Sequence, residues 1–197
     1  MLIAIPILWQ FVMDEYQKAR IVALFNLDNV EVQANEGYQQ YQGMISIGSG
    51  KFSGQGLFQG SRVASNSVPF QQSDYIFSVA GEELGFIGCS LILLLLFLLL
   101  VKILHVATPP GRLGKYICFG YFGIIALQSI SNIGMCLALL PVMGVTLPFF
   151  SAGGSSAACM YFGIGLVQSV YMRRKESDGL RETENALRFT YSRVKNS

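Results

Sequence analysis

Glu83-Leu84-Gly85-Phe86-Ile87-Gly88-Cys89-Ser90-Leu91-Ile92-Leu93-Leu94-Leu95-Leu96-Phe97-Leu98-Leu99-Leu100-Val101-Lys102 is the stretch that decides the fold. The 18 residues between its two terminal charges carry none, and Leu91 to Val101 is wholly apolar. A helix rises about 1.5 Å per residue and needs roughly 20 apolar residues to cross about 30 Å of hydrocarbon. The stretch therefore reads as one membrane span, placed at 84–104. Downstream, the 57 residues between Lys115 and Arg173 are also uncharged, which leaves room for two more spans. Pro141, Gly144, Pro148 and the small-residue patch Ser151-Ala152-Gly153-Gly154-Ser155-Ser156 divide that run. Spans are expected at 116–138 and 152–172. Residues 1–13 (MLIAIPILWQFVM) are apolar but too short to cross alone. They lack the basic start and small-residue cleavage site of a signal peptide, and are expected to be the end of a transmembrane span.

Composition agrees. Of 197 residues, 52% are hydrophobic and 13% charged, and the mean hydropathy is +0.45. A soluble domain carries about 25% charged residues, so a soluble enzyme, a disordered chain and a secreted disulfide scaffold all fit poorly. Cys89, Cys118, Cys136 and Cys159 lie in apolar runs without metal-like spacing and read as small hydrophobes.

The basic residues give an orientation. Segment 14–83 has four basic residues against eight acidic ones, whereas Lys102, Arg112 and Lys115 in the 102–115 loop face no acid. The tail 173–197 has seven basic residues against four acidic. Three spans after residue 84 put the loop and the tail on one side, and the positive-inside rule makes that side cytoplasmic. Residues 14–83 and the 139–151 turn then face outward. Within the tail, Leu180, Leu187, Tyr191 and Val194 fit one face of an amphipathic surface helix, although an irregular polar tail fits as well. His105, at a cytoplasmic boundary, reads as structural.

A loop of some 70 residues is too long for a mere connection, so the chemistry is expected within 14–83. Its glycine run, Gly48-Ser49-Gly50 to Gly60, matches no nucleotide-binding pattern and reads as tight turns and close packing. Asp74, among Phe70, Tyr75, Ile76 and Phe77, would sit partly desolvated at the head-group boundary, as a general base requires. It equally fits an acid favoured at a helix start, with Ser73 as cap. On a continuous helix Gly81, Gly85 and Gly88 would form a packing stripe, with Glu82, rather than Glu83, turned toward other helices. Lys18 and Arg20 could hold a phosphate or pyrophosphate, or could simply be interfacial side chains.

These motifs, in this order, resemble the SEDS family (shape, elongation, division, sporulation) of RodA and FtsW type. The matching pieces are Tyr16-Gln17-Lys18-Ala19-Arg20-Ile21, Gly37-Tyr38-Gln39 through Gly48-Ser49-Gly50, and Gly54-Gln55-Gly56-Leu57 with Gln59-Gly60. They continue with Ser73-Asp74-Tyr75-Ile76-Phe77, Gly81-Glu82-Glu83-Leu84-Gly85, Asn132-Ile133-Gly134, Leu140-Pro141, Gly144, Leu147-Pro148-Phe149 and the 151–156 patch. The resemblance implies an all-α polytopic membrane bundle with a large extracytoplasmic loop, the last three to four spans of a ten-span fold. It implies a bacterial cytoplasmic-membrane protein, multi-pass with a cytoplasmic C-terminus. Its activity would be peptidoglycan glycosyl transfer, polymerising lipid II and releasing undecaprenyl pyrophosphate. The implied partners are membrane lipid and a class B penicillin-binding protein (transpeptidase), with no nucleic acid. Asp74 takes the place of the family's essential loop aspartate and would be the catalytic base. Lys18, Arg20, Gln59, Ser73, Glu82 and Ser155 are the candidate substrate-binding residues; no metal ligand is assigned, although a divalent cation is compatible with a pyrophosphate leaving group. The chain departs from the family pattern at Phe70 and Gln72, where Glu and His are common, at Ser73 for Thr, and at Lys51 for Gly. Two rival functions are a lipid II transporter (flippase), which should carry ionisable residues near midplane, and a non-catalytic scaffold for the transpeptidase.

Overall fold

The computed structural model describes residues 14–35, 37–107 and 112–173, and every regular element within them is helical. The expectations for residues 1–13 and for the tail beyond residue 173 lie outside the described residues. Four helices precede the first long one: α1 (Glu15–Phe25), α2 (Val30–Ala34), α3 (Tyr38–Ser49) and α4 (Ser61–Ala64). Three more follow: α5 (Ile76–Ala107), α6 (Arg112–Cys136) and α7 at 154–173. Polar side chains start the short helices. Gln17 Oε1 accepts from the Asp14 amide at 3.4 Å on α1, and Asn29 Oδ1 accepts from the Glu31 amide at 2.9 Å on α2, each engaging one backbone amide at a helix start.

Two of these helices, Ile76–Ala107 and Leu113–Cys136, are long and apolar enough to cross a membrane. Only 22% and 28% of their most apolar windows are buried, which does not suit core helices of a soluble protein. Phe86, Leu91, Leu94 and Phe97 on α5 all point outward. The third segment, α7, is helical where a span is expected. Its glycines, serines and Gln168 make it less apolar, and its length and composition alone do not mark it as a crossing helix.

The expected continuous helix through Gly81, Gly85 and Gly88 is corrected. α5 breaks at Gly85, whose φ of 65° and ψ of −163° are non-helical. In an unbroken helix the amides of Phe86 and Ile87 would donate to the carbonyls of Glu82 and Glu83. Instead the Glu82 and Glu83 carbonyls accept from Gln55 N at 2.9 Å and Gly56 N at 3.0 Å. The freed amides of Phe86 and Ile87 donate to Lys51 O at 3.0 Å and Phe52 O at 3.3 Å. The glycine-rich loop thus replaces both missing helix bonds, as buried backbone in a membrane protein requires. Glycine is needed for the approach: a Cβ on Gly54 (φ 80°) would stand 2.1 Å from Glu83 O, and one on Gly50 1.9 Å from Gly81 O. Gly81 faces Ile47 of α3, whereas Gly88 lies against Leu84 of its own helix, so the three glycines form no single stripe.

Two apolar clusters hold the helices together. One joins Val68, Tyr75, Phe77, Cys89, Ile92, Met135, Val142 and Leu147, at the loop-bearing end of α5 and α6. The other, toward the far end, joins Ile103, Ala107, Cys118, Tyr121, Ile125, Met160 and Val167 across α5, α6 and α7. There the Tyr121 hydroxyl donates to Met160 O, and the ring packs where any side chain at Gly163 would clash.

Helix α6 ends in a Schellman motif, with Leu139 N donating to Gly134 O at 2.8 Å and Ala138 N to Met135 O at 3.1 Å. The left-handed position at its centre is Ala138 (φ 51°), where glycine avoids the Cβ clash. Ala138→Gly is expected to stabilise the protein by about 1 kcal/mol. The check is the thermal unfolding midpoint in detergent; a lowered midpoint would contradict the cap.

Candidate functional site

Asp74 lies in the turn that feeds α5. Phe70, at φ 53°, turns the chain so that the amides of Ser73, Asp74 and Tyr75 converge on its carbonyl at 3.1, 3.1 and 3.2 Å. Three further carbonyls of the turn are each held from outside. Gln72 O accepts from Ala152 N at 2.9 Å, Ser73 O from Ser151 Oγ at 2.6 Å, and Asp74 O from Asn132 Nδ2 at 2.7 Å. The backbone of the turn is therefore fixed, while the half-buried Asp74 side chain makes no hydrogen bond of its own among the described contacts. Its Oδ2 faces Gly144, 3.6 Å from where a Cβ would stand.

The irregular segment between α6 and α7 forms the opposing wall, and side chains from three helices grip its carbonyls. Gln40 of α3 donates to Leu140 O at 2.7 Å, Arg20 of α1 to Val142 O at 2.7 Å, and Asn132 of α6 to Val145 O at 2.7 Å. Ser151 Oγ also accepts from Leu147 N at 2.8 Å, and the Thr146 and Ser156 hydroxyls bond each other at 2.9 Å.

Arg20 borders two clefts. One, of about 490 Å³, is lined by Tyr16, Gln17, Ile21, Pro141, Val142 and Met143. The other, of about 320 Å³, is lined by Tyr16, Asn35, Tyr38, Gln39 and Pro69. The guanidinium also donates to the Tyr16 hydroxyl and lies over that ring, 4.3 Å from its centroid. Both Arg20 and Asp74 act electrostatically on the Tyr75 phenol, which burial holds well above its ordinary pKa and hence protonated. The tyrosine ring packs against Gly43 of α3, where a Cβ would be 2.9 Å away.

Of the remaining expected site residues, Ser73 adjoins Asp74 in the turn, and the others make no described contact with it. Lys18 is paired with Glu15 at 2.9 Å. It stands two residues, about 200°, around α1 from Arg20, so the two cations do not share a face. Ser73 does not cap α5; that helix starts at Ile76, and the Ser73 hydroxyl donates to Phe70 O at 3.4 Å. Gln59 is exposed in the glycine-rich loop, and Ser155 is exposed on the first turn of α7. Glu82 and Glu83 are both buried, contrary to a division between them. Glu82 Oε1 accepts from Arg62 N at 2.7 Å, and Oε2 is buried without a partner. Eight residues beyond Asp74, Glu82 is about 12 Å further along α5, so it belongs to the loop anchorage rather than to the turn. The Arg62 guanidinium instead bonds Ser46 at 3.2 Å and Gln42.

Asn132, Ser151 and Gly144 complete the site without having been singled out for it. The available signal was a strongly polar Asn132 within an otherwise charge-free run. Among the described residues no group of three or more His, Cys, Asp or Glu side chains could hold a metal ion. The residues around Asp74 thus do not fit a metal held by protein ligands alone.

A helical bundle with lipid-length apolar helices, carrying one half-buried acid in a braced turn beside an arginine-lined cleft, defines a polytopic membrane protein with a polar site at one end. The chain belongs to the FtsW/RodA/SpoVE family: that family's model, described as "Cell cycle protein", matches residues 1–176. It is 37% identical over 172 residues to the peptidoglycan glycosyltransferase MrdB of Escherichia coli strain K12, covering 87% of this chain and 46% of that protein. It is 39% identical over 156 residues to stage V sporulation protein E of Bacillus subtilis strain 168, covering 79% and 42%. A solved structure described as "Structural coordination of polymerization and crosslinking by a peptidoglycan synthase complex" contains a similar chain, with a TM-score of 0.61 and 27% identity. That match covers 88% of this chain and 48% of the other. The chain spans about half the length of the curated relatives it matches.

Proposed function

We propose that this chain carries the catalytic turn of a peptidoglycan glycosyltransferase that polymerises lipid II outside the cytoplasmic membrane. The observation that carries this reading is Asp74, a lone carboxylate without a competing hydrogen bond, presented by a rigidly held turn with its Oδ2 facing the bare side of Gly144. The acceptor sugar hydroxyl gives its proton to Asp74 as its oxygen attacks the anomeric carbon of the donor sugar. The new glycosidic bond forms as the bond to the lipid pyrophosphate breaks, and undecaprenyl pyrophosphate leaves with inversion. One base suffices, because no glycosyl-enzyme intermediate forms. Arg20, which borders the two clefts, would offer its remaining donors to the departing pyrophosphate. Ser73 adjoins Asp74 in the same turn, whereas no described contact brings Lys18, Gln59, Glu82 or Ser155 to Asp74, and these four are better suited to binding remoter parts of a long lipid-linked substrate, or to holding the fold.

In this reading residues 14–83 lie on the outer side, the three helices α5, α6 and α7 cross at 84–104, 116–138 and 152–172, and residues 173–197 are cytoplasmic, as the basic residues require. Membrane lipid surrounds α5 and α6, and a class B penicillin-binding protein crosslinks the strands produced. The absence of Asp, Glu, Lys and Arg from the centres of these three segments favours polymerisation over transport. The scaffold reading draws on Phe70 and Gln72, which leave Asp74 without the family's accompanying carboxylate and imidazole. The experiment is to incubate the protein, reconstituted in liposomes, with fluorescent lipid II, alone and with the transpeptidase. Polymer ladders support the enzyme. Movement of lipid II between leaflets without polymer supports the transporter, and transpeptidase binding without either supports the scaffold.

A further inference from the structure

Asn132 is the side chain that bonds both the Asp74 turn and the irregular segment that faces it. It is fully buried, and its Nδ2 donates to Asp74 O and to Val145 O, each at 2.7 Å. An amide NH2 has two hydrogens, so both are engaged. Its Oδ1 lies 3.9 Å from Cys136 Sγ one turn along α6, which completes its partners. The first bond fixes the direction of the Asp74 carbonyl, and with it the backbone torsion that aims the Asp74 side chain. The second holds Val145, the neighbour of Gly144, whose bare face meets Asp74 Oδ2.

We infer that Asn132 is a positioning residue for Asp74: a single amide group sets the separation between the base and the wall opposite it. This rests on the reading of Asp74 as the base. Ser151 performs a related task one residue earlier, donating to Ser73 O at 2.6 Å while accepting from Leu147 N at 2.8 Å. Asparagine suits the position because both acceptors are main-chain carbonyls belonging to different segments. Aspartate has the same shape but no donors, and would turn one carboxylate oxygen toward both carbonyl oxygens. Leucine fills the space and bonds neither. Displacement of a reacting group by about 1 Å costs on the order of 10²-fold in rate, so losing this spacer should act on the chemical step more than on substrate capture.

The test uses the full chain in liposomes, with Asn132→Asp, Asn132→Leu and Ser151→Ala measured over a range of lipid II concentrations. Expected is a fall in kcat of about 10-fold to 10²-fold for the two Asn132 variants, with KM within about twofold of the parent and a smaller loss for Ser151→Ala. A general packing defect would instead lower the amount of folded protein and spare kcat per folded molecule. A second readout needs no activity. In a background with Cys159→Ser and Cys136→Ser, which removes the exposed native thiol and the buried one 3.7 Å from Asp74 O, Asp74→Cys with Gly144→Cys should form a disulfide, and adding Asn132→Leu should slow its formation at least 10-fold. Unchanged crosslinking, or unchanged kcat in variants whose Asp74→Asn counterpart is inactive, overturns the positioning role and leaves the base intact. If Asp74→Asn keeps full activity, the base reading fails and the positioning role fails with it. Should both Asn132 variants fail to fold, Ser151→Ala decides on the same criteria, because it releases the same turn.

Discussion

On the proposed reading, Asp74→Asn is expected to lower lipid II polymerisation by about 10²–10⁴-fold, the range that loss of a positioned general base produces. The substitution keeps the shape of the side chain and leaves the turn intact, because the contacts that hold residues 72–74 go to main-chain carbonyls. The thermal midpoint should therefore stay within a few degrees of the parent, and lipid II affinity should change little. Asp74→Glu keeps the carboxylate but pushes it toward Gly144, where 3.6 Å separates Oδ2 from a Cβ position. It should recover part of the lost rate, and less when Asn132 is also altered, since neighbouring sites that act through one group are not additive. The measurement is initial rate by gel-resolved glycan strands with folded protein quantified in parallel. Polymerisation by Asp74→Asn at the parent rate would return Asp74 to the role of a helix-start acid.

The distribution of charge made the long helices legible. Charged residues are costly inside hydrocarbon, so charge-free runs announce α5 and α6 whatever their tertiary neighbours. The break within α5 was hidden because Gly81, Gly85 and Gly88 read identically as a packing stripe on an intact helix. Only the partner loop, some 30 residues earlier in the sequence, distinguishes the two, through hydrogen bonds to Glu82 O and Glu83 O that no periodicity encodes. Asp74 was legible as a polar residue among aromatic ones. The contacts that aim it were not, because Asn132 is 58 residues away and its acceptors are carbonyls of irregular chain. At Phe70 and Gln72, where the chain departs from the family pattern, both side chains are exposed and the turn is held through its backbone. The separation of Lys18 from Arg20 could have been read directly, since residues two apart on a helix do not face each other.

Gly85→Ala should be the most destabilising single-methyl change among the described glycines of α5. At φ 65° and ψ −163° Gly85 occupies a region open essentially to glycine alone, where another residue costs on the order of 1–3 kcal/mol. A Cβ there would also stand 2.3 Å from Gly54 N and 2.8 Å from Phe52 O. Both obstacles are backbone atoms of the loop that supplies the four exchanged hydrogen bonds, so neither can swing aside as a side chain would. Relief requires withdrawing the loop, which leaves the carbonyls of buried Glu82 and Glu83 and the amides of Phe86 and Ile87 without these partners, at about 1–3 kcal/mol for each group left unpaired away from water. Several such groups approach the whole stability of a typical domain, about 5–15 kcal/mol, so Gly85→Ala should yield little folded protein or a midpoint lowered by well over 10 °C. Gly48→Ala is the matched control. Gly48 lies in α3 with nothing within 4 Å of a Cβ position, and alanine there should stabilise the helix by about 0.5–1 kcal/mol. Detergent-solubilised yield and thermal midpoints for the pair make the comparison. Equal behaviour of the two variants would mean that α5 can close into a regular helix at Gly85, and that the glycine-rich loop is not what holds its ends apart.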